Sequence, residues 1–194
     1  IQVIFDKAYT KKDLESAFNK GKKILDQIKQ VPIAKDKKIR IGIVGEIYVV
    51  MEASINMKIE ELLGSLGAEV ERSQYLTQWI NYNVLPKFIN HSHETEILSK
   101  GERYIPIEIG GHAKQTMGHI VDFSERGFDG VVHLMPFGCL PELVSQSIVP
   151  KITAELGIPV LTLSIDEQTG TANNLTRIEA FLDLIKGKRV RKIS

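Results

Sequence analysis

The sequence predicts an α/β domain built on a small, doubly wound parallel sheet of about four strands. Nearly continuous apolar runs of strand length alternate with segments of helical periodicity, in the order βαβ, an insertion, then αβαβα. At 194 residues, with 43% hydrophobic and 25% charged residues, the chain is long enough for a sizeable core. We therefore expect a Rossmann-like or flavodoxin-like domain.

The N-terminal segment predicts an amphipathic helix from Thr10 to about Gln30, capped by Thr10 and Asp13. Its apolar face is formed by Leu14, Phe18, Gly21, Leu25 and Ile28. We assign residues 1–37 to this helix and a polar linker, and residues 38–194 to the α/β domain. The chain starts at Ile1 and enters the helix almost at once, which suggests a segment of a longer polypeptide.

The α/β domain opens with a βαβ unit. Residues 39–45 are rich in β-branched side chains and nearly continuously apolar, which is typical of a strand buried in a parallel sheet. A helix is predicted from Ser54 to Leu66 and a short second strand over 68–72. Residues 74–109 show a weaker pattern and predict an irregular or helical insertion.

The second half repeats the alternation. A helix to about Arg126 follows the turn Gly110-Gly111-His112, and strands are predicted over 130–135 and 158–164. The helix between these strands, 141–156, is expected to break or kink at Pro150. The last strand leads to a loop over 166–170 and a closing helix capped by Asn174.

Composition excludes several classes of function. The net charge of +1 does not indicate binding to nucleic acid, and no apolar run reaches the roughly 18 residues of a membrane span. Without a cationic and apolar leader, the expected location is the cytoplasm. A single cysteine excludes an internal disulfide and a metal site made of cysteines alone.

That cysteine, Cys139, is the principal candidate site residue. It stands on a Pro-Phe-Gly turn after the strand over 130–135 and before the helix that Pro141 opens, where the helix dipole would favour a thiolate. It could be a metal ligand, a nucleophile or a buried small hydrophobe. A nucleophile needs a histidine base, and the nearby His133 falls in the strand body, so a ligand is the better interpretation.

Other candidates carry weaker signals. Glu46, Asp166 and Glu167 follow predicted strands and should line the same rim as Cys139. The spacing of His112 and His119 does not suit a metal site, so a helix surface or cap is expected for both. His91 and His93 are interpreted as loop residues, and the Gly-Gly pair as a plain turn rather than an anion cradle. Neither a dinucleotide-binding fingerprint nor a Walker loop is present, which disfavours NAD and ATP binding.

A set of short motifs occurs along the α/β domain: Gly45 to Val49, Gly110 to His112, Asp129 to Val132, Pro136 to Glu142, Gly157 to Leu161, Asp166 to Gly170 and Thr176 to Phe181. Together they resemble the carboxy-terminal domain of the 2-hydroxyacyl-CoA dehydratase and CoA-enzyme-activase family, over roughly residues 38–187. The activase-like branch of that family, similar to the double-cubane-cluster reductases, is the nearest likeness.

The resemblance implies stacked Rossmann-like domains that share an iron–sulfur cluster, with Cys139 as the cysteine from the last domain and Arg177 as a further rim residue. It implies as partners an ATP-hydrolysing activator, the remaining domains of the same polypeptide and a second copy in a homodimer. The segment alone would then hold no stable cluster and would be inactive, whereas the whole protein would be a low-potential reductase or dehydratase component.

Two alternatives remain open from the residues. The domain could be a non-catalytic module that docks a partner ATPase or sibling subunit, with Cys139 structurally buried. It could also be a hydrolase or transferase that uses Cys139 as a nucleophile. A reactive thiol would favour a ligand or a nucleophile over the docking module.

Overall fold

The computed structural model describes residues 1–29, 38–84, 93–167 and 171–193. Contacts divide the chain after residue 37 into two compact units. Within the described ranges, none of the helices is both long and apolar enough to cross a membrane. The predicted polar linker falls largely outside the described residues, as does His91.

The N-terminal unit contains α1 (Gln2–Phe5) and α2 (Lys11–Asp26). The predicted cap is present: the Asp13 amide donates to Thr10 Oγ1 at 3.2 Å, and the Thr10 amide donates to the Asp13 carboxylate at 3.0 Å. Gly21 faces the side chains of Ile1 and Phe5, and a Cβ atom there would be in ordinary van der Waals contact with both, at 3.5 and 3.6 Å. The helix is confirmed, although it ends four residues before the predicted Gln30.

The second unit is organised by a four-stranded sheet in the order β2-β1-β3-β4, and all three strand pairs are parallel. The strands are β1 (Ile39–Gly45), β2 (Ala68–Arg72), β3 (Gly130–Pro136) and β4 (Val160–Ile165). The predicted α/β class and strand number are confirmed. Because the chain leaves the central pair β1 and β3 toward opposite edges, the sheet is doubly wound.

Helices connect the strands and account for most of the insertion between β2 and β3. They are α3 (Ile47–Met51), α4 (Ile59–Ser65), α5 (Leu76–Val84), α6 (His93–Glu102), α7 (Ala113–Glu125), α8 (Leu140–Leu156) and α9 (Thr171–Ile193). The described part of 74–109 is therefore largely helical, one of the two predicted forms. His93 begins α6 rather than lying in a loop.

The two faces of the sheet carry separate apolar cores. On one face, Ile41 and Ile43 of β1 pack with residues of α4 and α9. On the other, Val44 packs with residues of α7 and α8. Neighbouring residues of a strand point to opposite faces, so the continuous apolar sequence of β1 supplies both cores, as a parallel sheet covered on both sides requires.

The predicted helix from Ser54 is wrong at its start, because α4 begins only at Ile59. The Asn56 side chain donates to the carbonyls of Val49 and Val50 at 2.8 and 3.2 Å and accepts from the Ile59 amide at 3.3 Å. These bonds give the backbone an alternative to helix, and Met57 and Lys58 adopt positive φ angles of 59° and 52°.

Two further local predictions are corrected. Asn174 does not cap α9 but lies inside it, 1% exposed, with its amide 3.4 Å from Met57 Sδ. The predicted break at Pro150 is wrong, because α8 is continuous from Leu140 to Leu156, whereas the alternative of a kink stays a prediction. A proline removes one backbone hydrogen bond, and the ring of Pro150 lies at the exposed side of the helix.

Close packing of α7 on the sheet depends on Gly42 in β1. A Cβ atom on Gly42 would lie 2.3 Å from the ring of Phe123, which is 1% exposed. The ring thus occupies the space that any other residue at position 42 would need. This contact is one reason why a glycine interrupts an otherwise β-branched strand.

Replacing Gly42 with alanine should lower the free energy of unfolding by about 1–3 kcal/mol, because the buried Phe123 ring must move. Chemical denaturation would measure the loss, which should shrink in a Phe123→Leu background. Gly64→Ala is the matched control: it adds a Cβ to α4 where no atom lies within 4 Å, and should stabilise by roughly 0.5–1 kcal/mol. An equal effect of both alanines would contradict the packing argument.

Candidate functional site

The carboxyl edge of the sheet is where this topology places a site. Parallel strands end at the same edge, and in sheets of this kind ligands bind beside the two neighbouring strands whose following connections run in opposite directions, here β1 and β3. The loop after β3 carries Cys139, and the loop after β1 carries Glu46. The strands thus position the loops that carry Cys139 and Glu46, and β4 positions Asp166 and Glu167 at the same edge.

Cys139 occupies a tight turn between β3 and α8. Its amide donates to the Pro136 carbonyl at 3.1 Å, and Gly138 has a φ of 74°, a left-handed angle that glycine adopts readily. Cys139 is the N-cap residue of α8, and its side chain makes no capping hydrogen bond. Cys139 as a residue is partly exposed, so the structure does not bury it as a small core hydrophobe.

The surroundings of the cysteine are apolar and exposed to solvent. Phe137 is 75% exposed and Leu140 is 74% exposed, and both flank Cys139. Leu143 and Val144 continue this surface along the first turns of α8. Adjacent exposed apolar side chains of this size are typical of a surface that another protein segment covers. We call these four residues the cysteine-turn patch.

The structure brings two of the predicted rim residues close to the turn. Asp166 and Glu167 are exposed and line a shallow groove together with Pro136 and Phe137. Glu46 lies at the N-terminus of α3, where its carboxylate accepts from the Val49 amide at 3.0 Å. Its local structural role is therefore that of a helix cap.

Arg177, the fourth rim candidate, extends from α9 to the edge strand. Its guanidinium donates to the Thr162 carbonyl at 2.8 Å. Thr162 is the third residue of β4, so this contact lies in the middle of the strand rather than at its carboxyl end. The hydrogen bond satisfies a backbone carbonyl of the strand at the edge of the sheet.

Directly beneath the turn lies a buried polar pair that the sequence analysis missed. His133 of β3 and Glu142 of α8 are both fully buried, and His133 Nε2 is 2.7 Å from Glu142 Oε2. Thr116 Oγ1 of α7 donates to the same carboxylate at 3.2 Å, and Thr162 Oγ1 of β4 lies 3.2 Å from His133 Nδ1. This network joins two strands and two helices, and it holds the first turn of α8 against β3.

A cavity of about 210 Å³ opens at the same edge of the sheet, on the side of β2. The residues just after β2, Ser73 and Gln74, line it together with Glu94 of α6 and Gln115 of α7. Burial raises the pKa of the Glu94 carboxyl, while a hydrogen bond from Gln115 and the nearby His112 and His93 oppose that rise. No motif in the sequence indicated this cavity apart from the Gly-Gly-His turn at its border.

The Gly-Gly-His turn separates the cavity from the cysteine turn. Gly111 has a φ of 62°, and a Cβ atom there would lie 2.7 Å from Pro141 Cγ. Glycine therefore allows the loop before α7 to lie against the start of α8. His112 is the N-cap residue of α7, as expected for a cap, and its side chain makes no capping bond. The cavity and the cysteine turn are thus neighbours on one edge.

His119 differs from its prediction as a surface or cap residue. It lies in the middle of α7, is 4% exposed, and packs against Phe123 with ring centroids 6.3 Å apart. Burial, followed by repulsion from His93, lowers its pKa to about 3. Its Nε2 atom has no hydrogen-bond partner among the described residues. The ring is therefore a neutral part of the core at physiological pH.

The candidate residues do not assemble into a complete metal site. In the described parts of the chain, no group of three or more His, Cys, Asp or Glu side chains is arranged to hold a metal ion. Cys139 could supply one thiolate ligand from the carboxyl edge of the sheet.

These features define the class of the protein: a parallel α/β domain that presents one partly exposed cysteine at the carboxyl edge of its sheet. Residues 1–185 match the family described as 2-hydroxyglutaryl-CoA dehydratase, D-component, and the chain belongs to this family. The family resemblance inferred from the motifs is therefore confirmed, and the match extends through the N-terminal helices. No curated protein matches the sequence.

Loss of the Glu142 carboxylate should loosen the cysteine turn. Glu142→Ala leaves the buried Nε2 atom of His133 without its hydrogen-bond partner and should cost about 1–3 kcal/mol of unfolding free energy. Alkylation of Cys139 in the native protein should also become faster. The double variant His133→Leu/Glu142→Leu should recover most of the stability, whereas Gln146→Ala on the exposed side of α8 should change neither quantity. Unchanged stability in Glu142→Ala would contradict the proposed anchoring role.

The buried His119 should make the protein sensitive to acid. Its folded-state pKa of about 3 lies below the ordinary value of 6.5, so stability is lost as pH falls below 6.5 and the unfolded chain takes up a proton. Between pH 7 and pH 5 this loss should be about 2 kcal/mol. Urea unfolding at pH 7 and pH 5 would measure this loss of stability. The His119→Leu variant should lose less stability than the wild type, by the contribution of His119. The His93→Leu variant should lose as much as the wild type, because the His93 side chain is mostly exposed.

Proposed function

We propose that this chain is an electron-transfer component of a dehydratase or related reductase, in which Cys139 supplies one thiolate ligand to an iron–sulfur cluster. Family membership supports a dehydratase-related role. The position of Cys139, the only cysteine of the chain, supports its role as a cluster ligand. It caps α8 at the carboxyl edge of the sheet, partly exposed and without a capping bond.

The residues around Cys139 suit a ligand shared with other protein segments. A partly exposed cysteine on a surface turn can meet ligands from another domain, which a buried cysteine could not do. Phe137 and Leu140 on either side would exclude water from a shared cluster, and water access is one determinant of cluster potential. The N-terminus of the 17-residue helix α8 also favours negative charge, which a thiolate-bound cluster carries.

The chemistry that the cluster would supply when bound is one-electron transfer at low potential. The chain's own residues would hold the ligand in place and shield it. The His133 and Glu142 pair fixes the first turn of α8 on β3, and the turn in front of it presents the sulfur. We assign Asp166 and Glu167 to the polar border of this surface, because both are exposed beside Phe137.

The proposed partners are those that such a role requires. An ATP-hydrolysing activator would deliver the electrons, and the remaining cluster ligands would come from further domains or a sibling subunit. A homodimer would be one way to provide such a subunit. The cysteine-turn patch supports contact with another protein segment, because its apolar side chains are exposed where the additional ligands would have to approach.

The same patch favours a second candidate function. Phe137 and Leu140 are the most exposed large apolar residues of the carboxyl edge near β3, and a docking module would need such a surface without any cluster. In that case Cys139 would neither bind a metal group nor contribute to docking. Substitution of Phe137 and Leu140 with serine should then abolish association with the ATPase or sibling subunit, while Cys139→Ser should leave the association unchanged.

Metal analysis of the protein, purified without oxygen together with its partners, tests the cluster. Wild-type protein should contain iron and acid-labile sulfide, and Cys139→Ser should lose most of both or show a changed cluster spectrum. Ser147→Ala, on the exposed side of α8, is the control and should retain the wild-type content. Equal iron and spectra in wild type and Cys139→Ser, or no iron after reconstitution, would refute the ligand role and favour docking.

A further inference from the structure

The cavity beside β2 contains hydrogen-bonding groups that the protein itself leaves unused. Ser73 and Gln74 are each 8% exposed, and neither Ser73 Oγ nor Gln74 Oε1 has a hydrogen-bond partner among the described residues. Buried polar atoms without partners are rare in folded proteins, because each costs free energy. Both atoms belong to residues that line the cavity, so a ligand there could satisfy them.

The hydrogen-bonding character of Gln74 is fixed by the strand beside it. Its Nε2 atom donates to the Gly45 carbonyl at 3.1 Å, and a carbonyl can only accept. The atom of the Gln74 side chain that has no partner is therefore the amide oxygen Oε1, which can only accept a hydrogen bond. The backbone is fixed as well, because the Ser73 amide donates to the Ile43 carbonyl at 2.8 Å.

The electrostatic character of the cavity is acidic. Glu94 lines it, and no lysine or arginine is among the described residues that do so. Arg72, the nearest cation along the chain, lies 4.5 Å from the ring of Tyr75, which itself lines the cavity, and its charge is paired with Glu60 at 3.4 Å. A cavity with an acceptor amide, a hydroxyl and a carboxylate suits a ligand that donates hydrogen bonds and carries positive charge.

We propose that this cavity binds a small organic ammonium ion, with Glu94 as its counter-charge and Gln74 Oε1 and Ser73 Oγ as hydrogen-bond acceptors. At roughly 30 Å³ for each water-sized group, 210 Å³ holds a ligand of about seven non-hydrogen atoms. The indole of Trp79 also lines the cavity, and aromatic faces attract ammonium ions. This site goes beyond the proposed function and uses neither Cys139 nor a cluster.

Trp79 provides the readout, because it is the only tryptophan of the chain. Its fluorescence should be titrated with three probes of the same ring and different head groups: cyclohexylammonium, cyclohexanol and cyclohexanecarboxylate. The ammonium should give a saturable change and bind about tenfold or more tightly than the alcohol. Equal or tighter binding of the alcohol or the carboxylate would overturn the proposal, as would no saturable change with the ammonium.

Substitutions on one helix test the counter-charge. Glu94→Gln keeps the shape of the side chain and should weaken cyclohexylammonium binding about tenfold or more. Glu102→Gln removes the same charge from the exposed end of α6, about 12 Å further along the helix, and should leave the affinity within about twofold. Equal weakening in the two variants would show a general charge effect and overturn the proposal.

The pH dependence provides a further test in wild-type protein. Because the Glu94 pKa is raised, acidification should protonate the carboxyl and weaken ammonium binding. The titratable groups that face Glu94 are His93 of its own helix and His112 before α7, and their protonation would weaken binding of a cation in the same direction. In Glu94→Gln the remaining pH dependence should be smaller, and an unchanged profile would contradict the role of Glu94.

The two proposals can fail independently. Cys139→Ser should bind cyclohexylammonium as the wild type does, because Cys139 is not among the residues that line the cavity. Loss of iron in that variant together with unchanged ammonium affinity would support both proposals. A protein that binds no iron but retains selective ammonium binding would refute only the cluster, and the reverse result would refute only the ammonium site.

Discussion

The parallel pairing of β1 with β3 is the constraint on which the rest of the structure depends. Residues 41–45 of β1 pair with 130–134 of β3, although about ninety positions separate them in the chain. Because parallel neighbours need a crossover, the intervening chain must return over the sheet, and both strands then end at the same edge. The cysteine turn, the Gly-Gly-His turn and the acidic cavity all lie at that edge. Without this pairing, Cys139 and Glu94 would not lie at the same edge of the sheet.

The hydrogen-bonded pair of His133 and Glu142 connects the cysteine turn to the core. A buried histidine and carboxylate cost free energy unless each has its hydrogen bonds, and here Thr116 and Thr162 complete the network. The pair therefore specifies where α8 begins relative to β3. The cysteine turn lies between these two anchored points, so a surface thiol is held by interactions in the interior. A substitution of Glu142 in the core would therefore loosen the turn that holds Cys139.

The two halves of the carboxyl edge differ in chemistry although they adjoin. The β3 side is apolar and exposed around one thiol, which suits contact with another protein segment and a shared metal group. The β2 side is concave and acidic, with unsatisfied acceptors that suit a small cation. Gly111 against Pro141 forms the border between them. The two sides are connected by these two loops and also by α7, where Gln115 lines the cavity and the next residue, Thr116, donates to Glu142.

The sequence alone determined the class of fold, the four strands and the position of Cys139, because apolar runs, turn residues and helical periodicity are local signals. It also determined family membership through motifs around the turns. Only the tertiary structure decided the start of α4, the burial of His119 and Asn174, the His133 and Glu142 pair and the acidic cavity. The start of α4 depends on which backbone groups the Asn56 side chain bonds, and the others depend on contacts between different elements, as when Gln74 after β2 donates to Gly45 of β1. Local sequence patterns carry no information about these contacts, since burial and hydrogen-bond partners are set by how the elements pack.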